Sequence, residues 1–210
     1  MMTSDIDPEQ RPNPEIAGVI LAGGRATRMG GQDKGLLMIQ GQPMVVRICE
    51  ALRPQVAALF INANRNQARY AKLTGCPLVS DHIGHFAGPL AGMAAALNYA
   101  NLPYVVAVPC DSPFVAPDLV SRLYQALQQQ QAEIAMAMQA GKPQPVFVLL
   151  SRHLLPSLTL FLETGGHKII NWYYQHRVAE VDFSDRAQMF ENINTPQEQD
   201  RIEQVLRQSL

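Results

Sequence analysis

Short apolar runs of strand length are followed repeatedly along the chain by segments with helical spacing. The predicted strands of the first half are residues 16–22, 57–63, 76–81 and 104–111, and the predicted helices are residues 43–52, 66–73, 89–100 and 117–130. This alternation predicts a mostly parallel sheet covered by helices on both faces. We therefore expect a single-domain, three-layer α/β/α fold with a Rossmann-like sheet.

The second half has a less regular pattern. Its predicted strands are residues 133–138 and 145–150, on either side of the turn signal QAGKPQP, and residues 178–183; its predicted helices are residues 152–163, 167–175 and 194–208. The last helix begins with a capping box, in which Thr195 is the cap, Pro196 the first helical residue and Glu198 the third. Trp172 and its tyrosine neighbours allow either stacking on a ligand or packing of the helix.

Composition narrows the class of protein. The chain has 210 residues, a net charge of −1 and three widely spaced cysteines, so it offers no global basic field for nucleic acid and no disulfide framework. No run is apolar for the eighteen or so residues that a membrane span needs, and the start has no signal-peptide pattern. Residues 1–15 are expected to be a disordered extension, residues 16–210 the domain, and the cytoplasm the compartment.

The stretch GVILAGGRATRMGGQDKGLL, residues 18–37, places a glycine-rich loop directly after a predicted strand. Its spacing fits neither the P-loop nor the dinucleotide fingerprint. Glycines allow close approach of an anion to backbone N–H groups, and Arg28 and Lys34 add positive charge. Because the loop follows a strand, it lies at the carboxyl edge of the sheet, where ligands bind in open α/β folds. The sequence therefore predicts a phosphate-binding loop.

Polar residues follow other predicted strands. Asp111 ends the most strand-like run, and one aspartate suffices for magnesium when phosphates and water complete the shell; a turn cap is the alternative. For Asp81, Asn62 and Asn64, local turn hydrogen bonds remain an alternative to ligand binding.

Five blocks carry a resemblance to a known family. They are LAGGRATRMGGQDKGLL, INAN (61–64), GPLAG (88–92), PCDSPF (109–114) and NINTPQE (192–198). In this order, over residues 16–205, they resemble the molybdenum cofactor guanylyltransferases; the match is poorest at residues 130–185. The resemblance implies an Mg²⁺-dependent nucleotidyltransferase that joins GMP from GTP to Mo-molybdopterin and releases pyrophosphate. It also implies proteins that deliver or receive the cofactor.

The resemblance implies roles for individual residues. Nucleotide binding falls to Leu21, Ala22, Gly23, Gly24, Lys34, Asn62, Asp81 and Asp111; catalysis to Lys34, Asp111 and Arg28; the metal to Asp111; and the pterin side to Gly88, Pro89, Asn192 and Asn194. The N-terminal half is thus expected to bind GTP and the C-terminal half mainly the pterin.

Two other functions stay open. One is a different nucleotidyltransferase, either a cytidylyl enzyme or one for a sugar phosphate; cytidylyl relatives tend to read LAAG where this chain has Gly23 and Gly24, which favours guanine. The other is a non-catalytic, nucleotide-dependent carrier of the cofactor, against which the presence of both Lys34 and Asp111 argues.

Overall fold

The computed structural model describes residues 12–23, 33–81 and 88–208. Its strands are β1 (Asn13–Leu21), β2 (Met38–Ile39), β3 (Gln42–Pro43), β4 (Val56–Asn62), β5 (Leu78–Val79), β6 (Tyr104–Pro109), β7 (Ile134–Gln139), β8 (Lys142–Ser151) and β9 (Val178–Asp182). Its α-helices are α1 (Met44–Leu52), α2 (Gln67–Thr74), α3 (Pro89–Tyr99), α4 (Leu119–Gln129), α5 (Leu155–Glu163), α6 (Ile169–Tyr173) and α7 (Pro196–Gln208). The 3-10 helices cover Lys34–Leu36, Arg53–Gln55, Arg152–Leu154 and Ser184–Phe190.

A seven-stranded sheet in the order β5-β4-β1-β6-β8-β7-β9 forms the middle layer. β1 pairs in parallel with β4 on one side and β6 on the other, so that Ile20 lies between Ile61 and Val108. The chain runs from β1 through β4 to β5 on one side and returns to place β6 on the other. The strand order therefore reverses between β1 and β6, which makes their carboxyl ends the expected ligand crevice.

Helices cover both faces of this sheet, as predicted. On one face α1, α2 and α4 pack against the strands, while α3, α5 and α6 pack on the other. In α1 the buried residues Met44, Val45, Ile48, Cys49 and Leu52 follow helical spacing and form one apolar stripe. Because both faces are covered, β1 is buried continuously from Ile16 to Leu21.

One strand departs from the parallel arrangement. β8 pairs antiparallel with both β6 and β7. It is joined to β7 by the two-residue turn Ala140-Gly141, whose φ angles of +47° and +73° suit a tight hairpin. A turn this short cannot return the chain in parallel. The predicted turn was wider because the exposed start of β8 is polar and rich in proline.

Other differences from the predicted elements concern polar segments. β1 begins at Asn13, so residues 13–15 are part of the sheet rather than of the expected extension, and residues 1–11 lie outside the described part of the chain. These three residues carry no apolar signal because they are not buried. The 3-10 helix Ser184–Phe190 was not predicted from its mixed pattern. Trp172 and Tyr173 of α6 are fully buried, which favours the packing interpretation for both.

No helix in the ranges described here is long and apolar enough to cross a membrane.

Candidate active site

The carboxyl ends of three neighbouring strands meet at the crevice between β1 and β6. Beyond the end of β1, Ala22 N–H donates to the carbonyl of Asn62 at 2.8 Å, and Cys110 N–H donates to the carbonyl of Leu21 at 3.1 Å. The side chains of Leu21 and Ala22 are buried. With buried side chains, Leu21 and Ala22 could contact a ligand only through backbone groups, and the use predicted for Leu21, Ala22 and Gly23 in nucleotide binding stays a prediction.

A first polar cluster, the amide cluster, consists of Asn62, Asn64 and Asp81. The Asn62 Nδ2 donates to Asp81 Oδ1 at 2.8 Å, and the Asn64 Nδ2 donates to Asp81 Oδ2 at 2.7 Å. The Asp81 backbone N–H donates in turn to Asn64 Oδ1 at 2.9 Å. The structure thus brings the predicted residues Asn62 and Asp81 together and adds Asn64 as their brace.

Two glycines, Gly23 and Gly92, lie very close to this cluster. A Cβ atom at Gly23 would be 3.1 Å from Asn62 Oδ1 and 3.2 Å from Asn64 Nδ2. A Cβ atom at Gly92, on the inner side of α3, would be 2.4 Å from Asn62 Oδ1. The lack of a side chain is what lets α3 approach Asn62 at Gly92, whereas a Cβ atom at Gly23 would be a tight contact. The sequence offers a weak signal for Gly92, a glycine within an otherwise good helix.

A second group, the charged cluster, joins residues that are distant in sequence. Lys34 Nζ donates to Asp111 Oδ2 at 2.9 Å and also to Asn194 Oδ1. The lysine and aspartate side chains are 24% and 18% exposed, so the pair is screened from water on most sides but open to a ligand. The structure therefore places the loop lysine, the aspartate after β6 and one of the predicted pterin-side asparagines at a single point.

The segment before α7 is hydrogen-bonded to the residues after β6. Ile193 N–H donates to the carbonyl of Asp111 at 2.9 Å, and the Ser112 hydroxyl donates to Asn192 Oδ1. Ser112 is fully buried. Its role in the site was missed by the sequence analysis, where its only signal is its position directly after Asp111. Asn192 is thus used to hold this segment in place.

The predicted capping box of α7 is present and fixes the position of Asn194. Glu198 Oε2 accepts the backbone N–H groups of Asn194 at 2.7 Å and of Thr195 at 2.9 Å, and Thr195 Oγ1 accepts the Glu198 N–H at 3.2 Å. These backbone donors hold the pKa of the Glu198 carboxyl below its ordinary value. The start of the helix thereby orients the side chain that holds Lys34.

The remaining predicted residues are placed as follows. Gly88 precedes α3 with φ +148°, a conformation that favours glycine, and Pro89 is the first residue of the helix. Gly24 and Arg28 lie outside the described residues. Burial raises the pKa of the Cys110 thiol, beside Asp111, well above its ordinary value, so this side chain stays a neutral thiol.

The chain is similar to known protein families over most of its length. The protein-family model described as the MobA-like NTP transferase domain matches residues 18–179. Several curated molybdenum cofactor guanylyltransferases are similar over most of the chain. The protein of Shewanella sp. (strain MR-4) is 45% identical, with 93% of this chain and 98% of that protein covered. The protein of Vibrio cholerae is 44% identical, with 94% and 96% covered.

Solved structures show the same fold at lower identity. Molybdopterin-guanine dinucleotide biosynthesis protein A from Archaeoglobus fulgidus superposes with a TM-score of 0.76 at 22% identity, covering 92% of this chain and 99% of that one. The 2-C-methyl-D-erythritol 4-phosphate cytidylyltransferase from Thermus thermophilus superposes with a TM-score of 0.69 at 20% identity, covering 92% and 99%. These likenesses confirm the predicted α/β nucleotidyltransferase fold.

Proposed function

Because the chain belongs to the MobA-like NTP transferase domain family, we propose that it transfers GMP from GTP to Mo-molybdopterin and releases pyrophosphate. The product is the guanine dinucleotide form of the cofactor. The observation that carries this proposal is the Lys34–Asp111 ion pair at the carboxyl edge of β1 and β6. In this proposal the ion pair lies where GTP and Mo-molybdopterin, both polyanions, are brought together.

The amide cluster of Asn62, Asn64 and Asp81 suits guanine in this proposal. Guanine presents two neighbouring donors, its ring N1–H and its 2-amino group, and a carboxylate such as that of Asp81 accepts both. Each Asp81 oxygen has a further lone pair beyond the one used by Asn62 or Asn64. Cytosine has an amino donor at N4, but the neighbouring N3 and O2 are acceptors, so it cannot offer a carboxylate two adjacent donors. In this proposal the two asparagines hold Asp81 in the orientation that distinguishes the bases.

The transfer reaction requires positive charge from the protein more than it requires a general base. The nucleophile is the terminal phosphate of molybdopterin, whose second pKa is near 6, as for other phosphate monoesters, so it is already largely an anion at neutral pH. The obstacle is repulsion between this phosphate and the triphosphate. Lys34 and the backbone N–H groups of the glycine loop offset that repulsion and stabilise the charge on departing pyrophosphate; we assign Arg28 to the same task.

Magnesium is the cofactor we propose, and the donors at Asp111 fit it. Among residues 12–23, 33–81 and 88–208, no group of three or more His, Cys, Asp or Glu side chains is assembled to hold a metal alone. Magnesium is commonly held by one or two carboxylates, with phosphate oxygens and water as the other ligands. Asp111 is therefore enough when GTP is bound. The ion would neutralise triphosphate charge there.

The pterin side of the site is proposed to lie at the start of α3. We place the pterin phosphate near Gly88 and Pro89, at the start of α3, and we place Asn194 at the junction of the two substrates because it holds Lys34. Because a free molybdenum cofactor is unstable, proteins that deliver and receive it are part of the proposal. A cytoplasmic location fits the use of GTP and the three free thiols.

Substitution of the charged cluster tests this proposal. Asp111→Ala should abolish GMP transfer, while circular dichroism and thermal unfolding show a retained fold. Lys34→Ala should weaken both GTP binding and turnover. Asp185→Ala is the matched control, since Asp185 is also ion-paired, to Arg122 at 3.0 Å, but lies outside the site. A wild-type rate for Asp111→Ala at saturating magnesium would rule out its proposed role.

A further inference from the structure

Asp33, the residue before Lys34, is hydrogen-bonded to Tyr70 of helix α2 and to Asn66, which precedes that helix. Both carboxylate oxygens of Asp33 are engaged: the Tyr70 hydroxyl donates to Oδ1, and Asn66 Nδ2 donates to Oδ2 at 3.1 Å. Tyr70 lies within α2 and is fully buried, and Asn66 is the residue directly before the same helix. The two donors therefore hold the Asp33 carboxylate toward α2.

The residue after the lysine is fitted to the same tyrosine. A Cβ atom at Gly35 would be 2.5 Å from the Tyr70 hydroxyl oxygen, so only glycine allows this approach. The short 3-10 helix Lys34–Leu36 is closed by the Leu36 N–H, which donates to the Asp33 carbonyl at 3.0 Å. Lys34 is thus flanked on both sides by residues that contact one buried phenol.

With Asp33 bonded elsewhere, the ammonium group of Lys34 bonds to Asp111 and Asn194 of the charged cluster. An aspartate next to a lysine in sequence can pair with the lysine ammonium group and draw it away from another partner. Here the hydrogen bonds from Tyr70 and Asn66 occupy the Asp33 oxygens instead. Burial, together with the Asp33 carboxylate, raises the pKa of Tyr70 well above its ordinary value, so the phenol stays protonated and remains a donor.

We propose that Tyr70 is a positioning residue for nucleotide binding: through Asp33 and Gly35 it fixes the backbone on either side of Lys34, so that the ammonium group meets the triphosphate. Tyr70 itself does not contact the substrate. This inference rests on the proposed function, because it assumes that Lys34 binds the phosphates of GTP. Its test uses GTP affinity measured without the pterin, so it does not depend on transfer.

Removal of the hydroxyl alone is the first experiment. Tyr70→Phe keeps the buried ring and should weaken the binding of magnesium-GTP, measured by calorimetry, about tenfold, as for a hydrogen bond to a charged group. Tyr124→Phe is the matched control, because the Tyr124 hydroxyl also donates to a carboxylate, Glu15 Oε2 at 2.6 Å, away from the site. Its GTP affinity should stay within about twofold of wild type. Unchanged affinity in Tyr70→Phe would overturn the proposal.

A double-mutant cycle separates positioning from general stability. If Tyr70 acts through Lys34, Tyr70→Phe should change GTP affinity less than about twofold when Lys34→Ala is already present. Full, additive losses would show that Tyr70 does not act through the lysine. Failure of the proposed function would look different, since wild type would then bind GTP without transferring GMP to Mo-molybdopterin.

A steric variant keeps the proposal testable if Tyr70→Phe does not fold. Gly35→Ala forces a methyl group against the Tyr70 hydroxyl and should also weaken GTP binding. Unchanged GTP affinity in Gly35→Ala would contradict the proposal. Asp33→Ala should reproduce the loss of affinity, because it removes the link from the other end.

Discussion

Gly92 of α3 lies so close to Asn62 that a Cβ atom at position 92 would be 2.4 Å from Asn62 Oδ1. Asn62 is itself almost fully buried and bonded to Asp81, so it has little room to move. Gly92→Ala should therefore push the amide away from Asp81, lower stability by about 1–3 kcal/mol and raise the KM for GTP. Denaturant unfolding and initial-rate kinetics measure the two effects.

A second substitution tests whether Asn62 is the residue that a side chain at position 92 would contact. In an Asn62→Ala background the amide oxygen is gone, so Gly92→Ala should cost clearly less stability than it does in the wild-type chain. Equal costs in the two backgrounds would show that Asn62 is not the group that Gly92 accommodates.

Glu198 links the stability of α7 to the charged cluster. Glu198→Ala removes the acceptor of two backbone N–H groups and should lower the free energy of unfolding by about 1 kcal/mol, as is typical for a lost helix cap. Because Asn194 then loses its anchor, kcat/KM for GTP should also fall. Asp200→Ala, a carboxylate removed from the same helix, is the control and should stay within about 0.5 kcal/mol of wild type. Equal effects of the two substitutions would contradict the role of the cap.

His176 should make the fold sensitive to acid. Burial lowers its pKa, with His153 acting in the same sense and Glu133 opposing them. Since the folded pKa is below the unfolded one, the unfolded chain binds more protons as pH falls through the ordinary histidine range near 6.5. Stability is therefore fully present above that range and is lost as pH drops through the folded pKa. His176→Gln should show a shallower loss of Tm between neutral and mildly acidic pH.

The same titration can be observed directly. The chain has one tryptophan, and the Trp172 and His176 ring centroids are 5.3 Å apart. A protonated imidazole quenches the fluorescence of a neighbouring indole, so emission should fall on acidification with a midpoint below about 6.5. A midpoint at or above that value, or an identical curve for His176→Gln, would contradict the lowered pKa.

Much of the site could be predicted because it follows from strand order. Lys34 and Asp111 each follow a predicted strand, and parallel strands bring their carboxyl ends to one edge of the sheet. The contact of Asn194 with Lys34 could not be predicted in the same way. It joins residues 160 positions apart through the path of the segment that leads into α7, which no local pattern encodes.

Polar side chains with a good local alternative were the hardest to interpret. Asn64 suits a turn, and only the structure shows that it braces Asp81 from 17 residues away. Ser112 has no feature of its own that distinguishes it from a loop serine, although it is fully buried against Asn192. β8 runs antiparallel because the turn before it has only two residues. The sequence did not show this, because the start of β8 is polar and looks like part of a longer turn.

The most direct test of the proposed function is pyrophosphate release from magnesium-GTP, with CTP, ATP and UTP in parallel, each with and without Mo-molybdopterin. We expect release that requires both GTP and the pterin, with the guanine dinucleotide as the product. Release with CTP in place of GTP would keep the chemistry and contradict the base assignment. Binding of GTP with no release under any condition would contradict catalysis and indicate a carrier.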